Sequence, residues 1–325
     1  MDRRAFLGTA AGGLLAGART AQAQPVAKVY RVGVVLVGGP YSAAVDGLRA
    51  GLKELGFEEG KQYSLQVRDL KGNLGAVGET ARNLELEKVD LIFAVTTSVS
   101  IAVERATTTV PVVFFAGRDA VEVGLVKSLA KPGGRLTGVQ SRTTDLIAKR
   151  LEILKEMVPK ARRVLSFYNP DNPNTLENSR LTREAARLLR MELVERHVRS
   201  VDALREGLRN LKSGEVDALF LVPDVMVTSQ AQFIVETARA RKLPTMFTER
   251  TSVVGGGLAA YGTSFHAVGR LAAKYVHRVL LGTNPADLPV ERFDRFELVI
   301  NLKTAKALGL TIPQSVLGRA DEVIR

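Results

Sequence analysis

Short, fully apolar runs alternate along the chain with segments whose apolar residues recur every three or four positions. The first run, Tyr30–Val37 (YRVGVVLV), predicts a strand; after Gly38-Gly39-Pro40, Val45, Leu48, Leu52 and Leu55 share one helical face, and Gly56 stops the helix. Tyr63–Asp69 is the next strand, Ala76–Lys88 a helix, Asp90–Val95 (DLIFAV) a strand, and a further helix begins near Ser98. Val112–Ala116 (VVFFA) predicts a fourth strand, Val121–Ala130 a helix, and Thr137–Val139 a short strand beyond Lys131-Pro132-Gly133-Gly134. Strands that are apolar on both sides and alternate with amphipathic helices belong to a parallel sheet covered on both faces.

The pattern then restarts. Arg163–Phe167, Glu192–His197, Asp217–Val222 and Pro244–Phe247 predict strands, separated by helices over Leu176–Arg190, Val201–Leu211 and Val225–Arg241. RVGVVLV matches RVLSFYN, DLIFAVTTS matches DALFLVPD, and PVVFF matches PTMFT; their first residues lie 132, 127 and 133 residues apart. So constant an offset predicts two doubly wound α/β lobes of one topology, joined by a hinge. The expected boundaries are 24–140 for the first lobe, 141–262 for the second, and 263–325 for a crossing segment and a tail packed on both. Crossings are expected near Val139–Thr143 and Gly262–Ser264, with another near the C-terminus. Leu298, Ile300, Leu302, Leu308 and Leu310 in the tail require burial.

Composition narrows the choice of function. The 325 residues include 46 Lys and Arg against 34 Asp and Glu, a net charge of +12, with 46 % hydrophobic residues. That balance excludes a disordered chain. The absence of Cys excludes disulfides, thiolate metal sites and a Cys nucleophile. Residues 1–23 (MDRRAFLGTAAGGLLAGARTAQA) read as a signal peptide: paired Arg3-Arg4, a glycine-diluted apolar run, then Ala21-Gln22-Ala23 as a small-x-small cleavage site. The paired arginines make it a twin-arginine type, and the protein is expected to be exported, soluble and periplasmic. Export disfavours ATP- and dinucleotide-dependent chemistry and favours solute capture.

In doubly wound sheets a ligand sits beyond the carboxyl ends of the strands, where helix N-termini point. In the first lobe those positions hold Tyr41 and Ser42, then Thr96, Thr97 and Ser98, then Gly117, Arg118 and Asp119. Thr97 and Ser98 open a helix, so they suit a ligand carboxylate and equally suit N-capping. The second lobe offers Tyr168 and a loop from Asn169 through Asn172 to Asn174, then Asp224, Glu249 and Tyr261. Asp224 and Glu249 are placed to oppose a ligand ammonium; Asp224 fits the N-cap of the following helix just as well. Tyr41, Tyr168 and Tyr261 are placed either to stack on a flat ligand or to pack the rim.

Three stretches carry a family resemblance: PVVFFAGRDAVEVGLVKSLAKPGGRLTGV (Pro111–Val139), the segment from GGGLAAYG to GRLAAKYVHRVLLG (Gly255–Gly282), and the tail FELVINLKTAKALGLTIPQSVLGRADEVI (Phe296–Ile324). The chain resembles the TrpX-like ABC transporter substrate-binding proteins, over nearly all of its length beyond the leader. The resemblance implies the type I periplasmic binding protein fold, capture of a small organic carboxylate or amino acid between the lobes, and delivery to an ABC permease in the inner membrane. The chain departs from the family where Asp119-Ala120-Val121 replaces the common Asp-Pro-Val, and it lacks the lipidated Cys of many relatives. The alternative is a periplasmic sensor subunit that presents the ligand to a membrane receptor.

Other features point away from chemistry. His266 and His277 share a helix face but stand about 16.5 Å apart along it, too far to share a metal. Gly255-Gly256-Gly257 lacks dinucleotide spacing, and no P-loop or G-x-S-x-G occurs. Arg180, Arg183, Arg187 and Arg190 are interleaved with Glu177 and Glu184, as on a solvated face. No catalytic pair, metal, cofactor or nucleic-acid partner is expected, and the protein is expected to be a monomer.

Overall fold

The computed structural model describes residues 28–325, so the leader expected over residues 1–23 lies outside the described residues. The first half runs β1 (Tyr30–Leu36), α1 (Ser42–Glu54), β2 (Tyr63–Asp69), α2 (Val77–Leu86), β3 (Leu91–Val95), α3 (Thr97–Ala106), β4 (Val112–Ala116) and β5 (Leu136–Gln140). The second runs α4 (Ile147–Met157), β6 (Arg163–Tyr168), α5 (Pro173–Leu188), β7 (Glu192–His197), α6 (Val201–Arg209), β8 (Ala218–Phe220), α7 (Val225–Ser229), α8 (Ala231–Ala240), β9 (Thr245–Phe247), α9 (Arg250–Val254) and β10 (Ala259–Thr263). There follow α10 (Phe265–Leu280), β11 (Glu291–Arg292), β12 (Phe296–Asn301), α11 (Leu302–Ala307), α12 (Gln314–Leu317) and β13 (Glu322–Ile324).

The strands form two sheets, ordered β11-β5-β4-β3-β1-β2 and β13-β12-β10-β9-β8-β6-β7. Within them the orders β2-β1-β3-β4-β5 and β7-β6-β8-β9-β10 are the same, which is the repeat visible in the sequence. Central strands β3 and β4 are buried at every residue, whereas edge strands β2 and β7 expose part of one face. Pairing is parallel throughout except between β10 and β12.

Residues beyond 263 are woven into both lobes. Helix α10 packs along α1, and β11 extends the first sheet beside β5. Strands β12 and β13 extend the second sheet, where Leu298 and Ile300 are buried and Leu302, Leu308 and Leu310 pack against the same core. The chain therefore passes between lobes three times, after β5, β10 and β11. The passages are tied together: Ser141 Oγ and Thr263 Oγ1 share a hydrogen bond of 3.1 Å, and the Phe293 amide donates to Gln140 O at 2.7 Å.

Several elements depart from the sequence reading, α9 among them, which had no expected counterpart. Residues 121–130 form turns in place of a helix, with Gly124 at φ +78°, a conformation that ends helical propagation. The single helix expected over Val225–Arg241 is two, broken at Gln230. Helix α4 had no counterpart among the expected elements, although Ile147, Leu151, Leu154 and Met157 recur at helical spacing and are buried.

Candidate functional site

The carboxyl ends of both sheets and the three crossings enclose a cavity between the lobes, with about 690 Å³ of empty space, part of it open at the mouth. Its first-lobe wall is built by loops at strand ends. Thr96 follows β3 at φ +95°, a costly backbone conformation for a β-branched residue. The Thr96 amide donates to Phe115 O at 3.0 Å, tying that turn to β4. Thr96 caps α3, its Oγ1 accepting from the Val99 amide at 3.4 Å, while the Thr97 and Ser98 amides ahead of it have no intrahelical acceptor. Thr97 Oγ1 accepts from the Gly117 amide at 2.9 Å.

The apolar wall comes from three aromatic rings. Tyr41 meets Phe265, the first residue of α10, edge to face with centroids 4.9 Å apart, and Phe115 meets the same ring at 6.0 Å. Burial holds the Tyr41 hydroxyl protonated well above its usual range. Together the three rings offer an aromatic surface to a flat apolar group.

The second-lobe wall contains the most unusual group. Arg150, on α4, is 1 % exposed, its Nη2 donates to Thr143 O at 2.8 Å, and its Nε lies 3.4 Å from Leu146 O. Nη1 has no partner, and no carboxylate pairs with the guanidinium among the described residues. Desolvation lowers its pKa to about 9. A buried cation without a carboxylate partner is costly to keep. Thr143 Oγ1 in turn donates to Gly117 O at 3.0 Å, so hydrogen bonds link Arg150 through Thr143 and Gly117 to the start of α3. The anion-favouring groups of both lobes are thus side by side.

Across the mouth the lobes touch. Ser98 Oγ accepts from Asn172 Nδ2 and Asn174 Nδ2, both at 3.2 Å, and Arg118 Nη1 donates to Asn174 Oδ1 at 3.1 Å.

Of the residues singled out in the sequence, Tyr41, Thr96, Thr97, Ser98, Gly117, Arg118, Asn172 and Asn174 border the cavity. Ser42, Asp119, Tyr168, Asn169, Asp224, Glu249 and Tyr261 do not. Ser42 is exposed and donates to Gly39 O, and Asp119 accepts from the Val121 and Glu122 amides. Tyr168 bonds His197 Nε2 at 2.6 Å, Asn169 accepts from the Asp171 amide, and Tyr261 packs on Phe296. Asp224 is buried as the cap of α7, accepting from the Asn169, Met226 and Val227 amides; burial nevertheless pushes its carboxyl up. Glu249 caps α9 in the same way, through the Thr251 and Ser252 amides and Ser252 Oγ. For both acids the capping role engages the carboxylate, and neither borders the cavity.

Arg150, Phe115, Phe265, Thr175 and Asn178 border the cavity and were not singled out. Arg150 left a trace: it is the one charged residue in the stripe Ile147, Arg150, Leu151, Leu154, which is otherwise apolar and buried. Phe115 read as plain core, and Phe265 gains its place only through the second crossing.

A two-lobed α/β protein with a solute-sized cleft at its hinge is, by fold and site together, a solute-binding protein. Residues 31–324 match the family of ABC transporter substrate binding proteins, and the chain belongs to it. It is similar to a tyrosine-binding protein of Clostridioides difficile, strain R20291, at 29 % identity over 269 residues, spanning 82 % of this chain and 76 % of that one. It is also similar to the crystal structure of an ABC domain from Streptococcus pneumoniae in complex with L-Trp, at 26 % identity and a TM-score of 0.78, covering 91 % of this chain and all of the other. Against a ligand-free, open substrate-binding protein with adhesive properties from Clostridium difficile, identity is again 26 % and coverage 91 % and 99 %, but the TM-score is 0.59. Among the described residues no helix is long and apolar enough to cross a membrane.

Proposed function

We propose that the protein is the extracytoplasmic receptor of an ABC importer for an amino acid with an aromatic side chain. On this reading it is exported by its arginine-paired leader, closes on the solute and delivers it to an inner-membrane permease. The observation that carries the reading is Arg150: a buried guanidinium with a free N–H, beside a helix N-terminus and facing an aromatic wall. A carboxylate on Arg150 gains a charge-assisted hydrogen bond and neutralises the unpaired cation. The rings of Tyr41, Phe115 and Phe265 then take an apolar, flat side chain. The tyrosine- and tryptophan-associated relatives support the same ligand class.

Calorimetry with L-tryptophan, L-tyrosine, L-phenylalanine and aliphatic amino acids tests this. At least one aromatic amino acid is expected to bind one-to-one, and Arg150→Met to weaken it by about 2–5 kcal/mol, the usual loss when one partner of a buried charge pair is removed. Saturable binding that Arg150→Met leaves intact would refute the assignment of the carboxylate. A strain carrying Arg3→Lys with Arg4→Lys is expected to retain the protein in the cytoplasm.

A further inference from the structure

Two more polar atoms on the cavity wall have no partner, and both are on α5. Thr175 Oγ1 and Asn178 Oδ1 are buried and make no hydrogen bond among the described residues. They are three residues apart and therefore on one helix face, and both residues border the cavity. The amide of Asn178 has a fixed orientation, because its Nδ2 donates to Pro223 O, which leaves the carbonyl oxygen as a pure acceptor. The Thr175 hydroxyl is near the buried Asp224 carboxyl, whose pKa burial pushes up, without a formed hydrogen bond to it. Turned towards Asp224, the hydroxyl would keep its lone pairs free as acceptors.

This arrangement is the electrical complement of Arg150. One wall presents an N–H donor with a full positive charge. The adjacent helix presents two acceptors with a carboxylate one side chain behind them, and α4 and α5 pack directly on each other. Leaving a buried acceptor unmade costs about 1–3 kcal/mol, so a donor-bearing group is favoured here.

Resting on the amino-acid reading above, we infer that Thr175 Oγ1 and Asn178 Oδ1 bind the α-ammonium of the ligand, with Asp224 acting only through Thr175. The ammonium is thus recognised by uncharged acceptors, and the site selects amino acids over the corresponding deaminated acids.

The test uses three probes that share one aromatic group: L-phenylalanine, 3-phenylpropanoate, which lacks the amine, and phenethylamine, which lacks the carboxylate. They are titrated calorimetrically into the wild type, Arg150→Met, Thr175→Val and Asn178→Ala. Thr175→Val preserves shape and is the decisive variant. Asn178→Ala also loses the bond to Pro223, so its melting temperature is checked alongside. The wild type is expected to prefer L-phenylalanine to 3-phenylpropanoate by about a hundredfold. Thr175→Val is expected to cut L-phenylalanine and phenethylamine affinity about tenfold or more and to leave 3-phenylpropanoate unchanged. Arg150→Met is expected to spare phenethylamine. Equal wild-type affinity for L-phenylalanine and 3-phenylpropanoate, or an unaltered preference in Thr175→Val, overturns the inference while the receptor reading stands. Amine binding that senses Thr175 but not Arg150, with no binding of either acid, upholds the inference and overturns the carboxylate reading. Failure of all three probes, and of L-tyrosine and L-tryptophan, to bind overturns both.

Discussion

Arg150 and Glu85 show how the same protein treats two charges in opposite ways. Arg150 lies in the cavity wall with its charge unbalanced, and desolvation weakens its hold on the proton. Its replacement by Met therefore has a double expectation: ligand binding falls, while the melting temperature of the free protein stays level or rises, because an unpaired buried charge is gone. Glu85 is fully used. Burial would raise its carboxyl, but the amides of Thr109, Val110 and Thr108 and the Thr109 hydroxyl outweigh that and hold it at about 2. Its folded pKa is thus below the ordinary carboxylate value of 4.5, so the unfolded chain takes up the proton first as pH falls. The stability from this group is complete above about pH 4.5 and drains away as pH drops towards 2. Glu85→Gln should be less stable than the wild type at pH 7, and urea melts should show that gap narrowing between pH 4.5 and 2. A gap independent of pH would show that the charge contributes nothing.

Elements meet at two places that tie the lobes, and at the first small side chains are a physical necessity. Along α1, Gly47 and Gly51 face α10, whose own Gly269 faces back: a Cβ on Gly47 would be 1.9 Å from His266 O, and one on Gly269 1.9 Å from Ala44 O. The helices touch backbone to backbone, and α10 arrives there from the second lobe. Gly47→Ala must push them apart, at a cost of about 1–3 kcal/mol, seen as a lower urea midpoint at unchanged slope. Unaltered stability would mean that the helix contact is not tight in solution. Between lobes, α3 and α5 meet through Ser98, Asn172 and Asn174, with Arg118 as a second arm. These bonds form only when the lobes are together, so they lengthen the closed state without touching the cavity's aromatic side. Asn174→Ala should release ligand roughly fivefold faster in stopped flow, equivalent to about 1 kcal/mol from the lost hydrogen bonds. Dissociation at the wild-type rate would show that closure does not depend on this contact.

The two lobes of the whole molecule touch across the cavity mouth. At equal sequence identity the chain superposes better on the Trp-bound relative than on the ligand-free, open one, with TM-scores of 0.78 and 0.59. Hinge closure about three parallel crossings is the motion that this architecture allows. Much of this was legible along the chain: apolar runs such as DLIFAV and DALFLV, repeated at constant offset, determine two lobes of one topology, because a strand covered on both faces has no other stable setting. Strand ends also mark where the cavity between the lobes lies, which is why Tyr41, Thr96, Thr97, Ser98, Gly117, Arg118, Asn172 and Asn174 border it. Periodicity alone left other choices open. Asp224 had two uses, as cap or as ligand contact, and Glu249 was read only as a ligand contact; the folded backbone shows both acting as caps by bringing the Asn169, Thr251 and Ser252 amides to their carboxylates. Arg150 was hidden because α4 was overlooked, and because a charge is identified as unpaired only once every neighbour is in place. Phe265 becomes part of the site through the return crossing, a contact made in space between residues far apart in sequence. The sequence by itself therefore determined the lobes, their order and the cleft, all of which follow from local periodicity and burial. The tertiary structure decided which polar atoms are left without partners, because satisfaction of a hydrogen bond or a charge depends on every group that packs around it.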